Sequence, residues 1–356
     1  MKYGIIFFTV AIFFAACQAT PPPNRAAISF AWAYPAGDYV RSKATVSDTR
    51  VYIGADDNAL HAINARTGEE FWRYETQDNV TSSPVVYRDL VIFGSWDGTV
   101  YGIGAEDGKA RWQYQTGGGV TASPVISDGT LYVGSLDGSL YALVAEDGDL
   151  LWRYRTDGAI EASPALADGV MVVGSADNYL YAIEPRDGEL RWRYRTGGDI
   201  VATPAITDGI VLGGSFDRKF YALDAVTGQP RWTFEAEFAI EAEPLVNDGV
   251  VYVGANDGRL YALRTQDGHL LWQYQTGNII RAAPAIWEQL LFVGSDDGYL
   301  YGLNRETGEL AWHYRLGGAV VAGLTIAGDR LFVGATDRRL HAFDLQMLQE
   351  THDGLP

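Results

Sequence analysis

Cysteine is almost absent from this chain. Only Cys17 is present, so no disulfide can form within it. Basic residues are scarce: 27 Lys and Arg face 45 Asp and Glu, a formal net charge of −18. That balance disfavours nucleic acid and anionic lipid surfaces as partners. The five histidines, His61, His269, His313, His341 and His352, have no ligand spacing. A Gly-rich phosphate loop, a nucleophile elbow and a notable carboxylate pair are missing. The apolar run from Ile5 to Phe14 is too short to span a bilayer comfortably. Insertions are missing as well. Nothing between residues 28 and 345 interrupts a fixed spacing, so no blade can carry a catalytic lid, a capping subdomain or a long ligand loop.

What is present is a repeat. Tryptophan recurs every 40 residues at Trp32, Trp72, Trp112, Trp152, Trp192, Trp232, Trp272 and Trp312. Glycine keeps the same beat from Gly54 to Gly334, and aspartate from Asp57 to Asp337. A period near 40 means that one supersecondary unit is reused. In the third unit, TASPVIS, TLYVGS, SLYALVA and DLLWRYRT are separated by DG, LDG and EDG. The runs are too short for most helices, and Asp-Gly favours tight hairpin turns. The unit therefore reads as a four-stranded antiparallel meander, strands A to D. Such a sheet cannot bury its faces alone, whereas eight stacked radially can. The fold expected is all-β, an eight-bladed β-propeller.

The Gly-His and Trp-Asp signatures of WD-type repeats are missing. Instead AINARTGEEFW at 62–72, ALVAEDGDLLW at 142–152 and ALDAVTGQPRW at 222–232 resemble the tryptophan-docking motif of the quinoprotein (PQQ-type) propellers. The resemblance covers the chain after residue 27. It implies that Gly68 and its equivalents through Gly308 close the C–D hairpins, and that the eight tryptophans are interblade packing wedges. The last unit has strands A, B and C but no D strand after Leu345. The strand at 28–34, which carries Trp32, is expected to fill that gap and cover the open edge.

Residues 1–16 read as a signal peptide, with Lys2 before the apolar run and small residues before Cys17. Phe14-Ala15-Ala16-Cys17 resembles a bacterial lipobox, although Phe14 stands where leucine is usual. The resemblance implies a lipidated Cys17 and, with Gln18 next, sorting to the outer membrane, facing the periplasm. Residues 17–27 then form a Pro-rich tether, residues 28–345 a single propeller expected to be monomeric, and residues 346–356 a tail.

Residues that break the eightfold symmetry are the informative ones. D–A connections and B–C turns share one face, beside the central channel. Arg41, Glu161, Glu241 and Arg281 are the charged residues just inside strand A, and Lys43 and Glu243 stand two residues on. At the B–C tips Trp96, Leu136, Ala176 and Phe216 follow one another in consecutive blades, and Phe238 adds an aromatic from a D–A loop. These positions read as a contact patch; the alternative is that each tip folds down onto its own blade. The periodic aspartates read as turn caps, not metal ligands, because eightfold spread prevents convergence on one ion.

Lipobox, blade count and docking motif together resemble the eight-bladed lipoproteins of the outer-membrane β-barrel assembly machinery (BamB-type). That resemblance implies a non-catalytic scaffold that binds an assembly subunit and needs no cofactor. Two alternatives stay open. One is a stand-alone ligand-binding or adhesion propeller. The other is a quinoprotein-type oxidoreductase, a family that holds PQQ and calcium over the channel mouth and commonly uses an adjacent cysteine pair, which this chain cannot supply. Fold alone does not choose among them.

Overall fold

In the third repeat the Asp-Gly punctuation becomes turns. Asp128 and Gly129 both have positive φ, 48° and 77°, as a two-residue I′ hairpin requires. The flanking runs form Val125–Ser127, Thr130–Gly134, Ser139–Val144 and Leu150–Arg155, strands A to D of one antiparallel sheet. Strand A begins at 45, 85, 125, 165, 205, 245, 285 and 325 in blades 1 to 8. The computed structural model describes residues 26–167 and 169–347, and every element in it is a strand. The expected eight-bladed ring is what forms.

The core lies between blades. Strands B and C are buried along most of their length, and strand D alternates half-buried with exposed, as an outer edge should. Leu90, Ile92, Val100 and Trp112 of blade 2 pack on Leu131, Val133, Tyr141 and Leu143 of blade 3. The strand-B glycines allow the neighbouring D–A loop to approach closely. A Cβ on Gly134 would sit 2.3 Å from Ile160 Cγ2, so no larger residue fits.

Each strand-D tryptophan docks on the next blade. Trp152 lies against Gly188, whose φ is +78° and whose added Cβ would meet the indole at 2.8 Å. The same indole donates to the Pro185 carbonyl at 3.0 Å. Seven C–D glycines, Gly68 to Gly308, receive seven tryptophans, Trp32 through Trp272, and five of these indoles donate to a carbonyl of the next blade. Trp312 has no such glycine among the described residues and instead packs edge-on against Phe343 at 5.9 Å.

Closure follows the expected route. Ala26–Pro35 pairs antiparallel with Arg339–Met347 as the outer strand of blade 8. Trp32 faces Ala342 across that ladder, as Trp152 faces Ala142 in blade 3. The strand is slightly longer than residues 28–34. Its Trp32 then docks on Gly68 of blade 1, so a ladder and an indole both seal the ring. Residues 1–16, Cys17, most of the tether and nearly all of the tail lie outside the described residues.

Candidate interaction surface around the channel mouth

The face that carries the D–A loops and B–C turns has a backbone lattice set by the periodic aspartates. Asp137 Oδ2 accepts the Gly117 N–H at 3.0 Å from the preceding loop and the Tyr141 hydroxyl at 2.5 Å from strand C. Its Oδ1 accepts the Ser139 N–H at 2.8 Å. Burial would raise the Asp137 pKa, but these hydrogen bonds outweigh it and hold the carboxylate below its ordinary range. Burial and Asp137 push the Tyr141 hydroxyl up to about 12. His61 and His341 occupy the tyrosine slot in blades 1 and 8, with Nε2 3.2 Å from Asp57 and 2.8 Å from Asp337. The loops also stitch neighbours together: Val120 N–H donates to Ser95 of blade 2, and Gly119 accepts from Leu136 of blade 3. Among the described residues no group of three or more His, Cys, Asp or Glu could hold a metal ion.

On this lattice the variable side chains meet in pairs 15 residues apart, a spacing the sequence reading missed. Arg41 Nε donates to Asp56 at 2.6 Å, Trp96 Nε1 to Thr81 Oγ1 at 2.9 Å, and Arg281 Nε to Asp296 at 3.2 Å. Asn256 donates to Glu241 in the same register. Arg281 also lies 3.7 Å from Glu241 of the neighbouring blade, which links blades 6 and 7. Glu161 makes no such pair. Loss of hydration, with the carboxylates of Asp199 and Glu241, raises its carboxyl above the ordinary value.

The apolar arc is narrower than the run of tip residues suggests. Trp96 and Phe216 are each 45% exposed and Phe238 is 59% exposed. Leu136 and Ala176 are only half-buried tips. Leu136 folds across Gly119, where a Cβ would meet its Cδ1 at 3.2 Å; the missing side chain there makes the room. The face is therefore divided. Blades 2 to 5 present apolar tips, and blades 6, 7 and 1 present Asn256, Asp296 and Asp56 with their charged partners.

The channel wall is divided at the same places. Two residues inside each blade entry, N–H groups donate to the hydroxyl 40 residues on: Lys43 to Ser83 at 3.0 Å, Ser83 to Ser123 at 2.8 Å, Ser123 to Ser163 at 2.8 Å, and Ser163 to Thr203 at 3.3 Å. The next residues in this belt are Glu243, Ala283, Gly323 and Lys43 again, which carry no hydroxyl. Arg41, Lys43, Glu241, Glu243 and Arg281 converge there on a mouth of about 270 Å³. The regular Ser and Thr spacing was the available signal for the belt.

Comparison with known proteins follows the same lines. The sequence profile of the family described as outer membrane protein assembly factor BamB matches residues 29–123, 115–203, 197–287 and 276–352. The crystal structure of BamB from Moraxella catarrhalis superposes with a TM-score of 0.78 at 19% identity, covering 89% of this chain and 100% of that one. The computationally designed Ika8 protein gives 0.80 at 20% identity, over 89% and 99%. A quinohemoprotein alcohol dehydrogenase from Pseudomonas putida HK5 gives 0.76 at 15% identity, over 92% and 78%. At these identities the three likenesses establish the fold alone. No protein of curated function matches the sequence significantly.

Proposed function

This chain belongs to the outer membrane protein assembly factor BamB family, and from that premise we propose that it is a non-catalytic, lipid-anchored scaffold for outer-membrane protein assembly. Acylated Cys17 tethers it to the periplasmic side of the outer membrane. The partner is a protein, an assembly subunit that docks on the channel-mouth face. One observation carries the reading: the exposed aromatics Trp96, Phe216 and Phe238 project from loops held by aspartate-centred hydrogen bonds. A rigid platform loses little conformational entropy on binding, and exposed aromatics beside it are the residue types that dominate interface energetics. Glu161, Glu241, Arg41 and Arg281 flank them and steer the encounter.

The oxidoreductases that share the fold supply the competing reading. The residues here do not fit a quinone with its metal. The chain has one cysteine where an adjacent pair is commonly used, and the mouth has no metal-ligand group among the described residues. No blade insertion covers the mouth either.

The test is capture by crosslinking from membranes through a C-terminal tag, with the captured subunit identified by mass spectrometry. Trp96→Ala with Phe216→Ala should lower capture about tenfold or more, since hot-spot truncations cost about 2 kcal/mol or more each. The melting temperature should barely move, because surface changes of this kind stay within about 0.5 kcal/mol. A folded double variant that captures the same subunit at the wild-type level refutes this surface. Absence of any assembly subunit from the wild-type capture favours a stand-alone adhesion or ligand-binding propeller.

A further inference from the structure

The broken half of the hydroxyl belt has a chemical consequence. Blades run as a ring, so each N–H at this level aims at the equivalent residue of the next blade. Four of them find a hydroxyl. The N–H groups of Thr203, Glu243, Ala283 and Gly323 face Glu243, Ala283, Gly323 and Lys43, and none has an acceptor among the described residues. The side chains that could fill this arc are absent at Ala283 and Gly323. The Lys43 stem lies over the glycine, 3.0 Å from where its Cβ would be.

The charges there are unbalanced in the same way. Arg41 is paired with Asp56, and Arg281 with Asp296 and Glu241. Lys43 and Glu243 line the same cavity, yet neither side chain has an ionic or hydrogen-bonded partner among the described residues, and they do not pair with each other. One end of the arc thus offers an ammonium and the other a carboxylate, with N–H groups that lack an acceptor along the wall between them. Two half-buried opposite charges kept apart across a gap complement a ligand that carries both.

We propose that this mouth binds a small zwitterion, a free amino acid or a short peptide with free termini. Its carboxylate sits on the Lys43 ammonium and the unpaired N–H groups, and its ammonium on Glu243. A volume of about 270 Å³ suits such a ligand, since it falls just below the range of about 300–1,000 Å³ usual for larger ligands. The site is separate from the apolar arc on blades 2 to 5 and does not depend on the scaffold reading.

Titration calorimetry and ligand-observed NMR on the purified full chain test this, with glycylglycine as probe. N-acetylglycine keeps only the anion and glycinamide only the cation. Glycylglycine should bind saturably, and each single-charge probe should bind about tenfold or more weakly, the loss expected for one charge-assisted hydrogen bond. Lys43→Met and Glu243→Gln should each weaken glycylglycine to a similar degree. Gly323→Ser, which returns a hydroxyl to the belt, crowds the Lys43 stem and removes neither charge, should also weaken it and carries the test should the charge variants fail to fold. Comparing glycine, glycylglycine and triglycine separates a free amino acid from a peptide as the preferred form. The proposal falls if glycylglycine does not saturate, if the single-charge probes bind equally well, or if all folded variants bind like wild type. Partner capture by Gly323→Ser should be unchanged, so failure here leaves the scaffold reading standing.

Discussion

Gly188 and Gly249 have nearly the same backbone and opposite surroundings. Their φ values are +78° and +76°. A Cβ on Gly188 would press on Trp152 at 2.8 Å, whereas one on Gly249 would meet nothing within 4 Å. Alanine at either position carries the left-handed backbone penalty of about 1–2 kcal/mol. At Gly188 it must also push the indole off its seat, which strains the Trp152–Pro185 hydrogen bond, itself a net contribution of about 1 kcal/mol. Overpacking of the seat adds about 1–3 kcal/mol. Gly188→Ala should therefore destabilise by about 3–6 kcal/mol and Gly249→Ala by about 1–2 kcal/mol, the difference being the docking energy. Urea midpoints, with m-values checked for constancy, give both numbers. In a Trp152→Ala background the extra penalty at Gly188 should vanish, because the two residues act as one unit. Equal losses at the two glycines, or a Gly188 penalty that survives removal of Trp152, would sink the idea that the indole seat holds neighbouring blades together.

Three further outcomes are expected. Deleting residues 18–36 removes the outer strand of blade 8 with Trp32 and buried Tyr34; the loss should exceed about 5 kcal/mol, since one large aromatic truncation alone costs about 3–5 kcal/mol, and the bared edge at 339–347 should promote aggregation, both visible by calorimetry and light scattering. Burial lowers the His341 pKa below its ordinary value even though Asp337 opposes this; the unfolded chain then binds the proton more readily, so this stability is present above about pH 6.5 and is lost as pH falls towards the folded value. His341→Tyr should flatten the loss between about pH 6.5 and 5, read from urea midpoints, and an unchanged slope would remove His341 as its source. Cys17→Ser should abolish labelling by a fatty-acid analogue, and equal labelling of both chains would exclude Cys17 as the acylation site.

The repeat by itself determined the number of blades, the four strands in each and the identity of the closing strand. Those features depend on short-range patterning and on Asp-Gly turns, which act between neighbours in sequence. Trp32 with no blade before it, and Leu345 with no D strand after it, made closure legible as an unpaired edge. The site was legible only as a list of positions that break symmetry. Which of them are exposed depended on a contact such as Leu136 across Gly119, set by a residue in a different loop. The 15-residue pairs and the hydroxyl belt arise from side chains brought together by the turn lattice and by the ring, respectively. Residues 40 apart, such as Ser83 and Ser123, touch because each blade stacks on the next. The gap between Glu243 and Lys43 exists because Ala283 and Gly323 face one channel together. Assembly of the ring, not local preference, decided that arrangement.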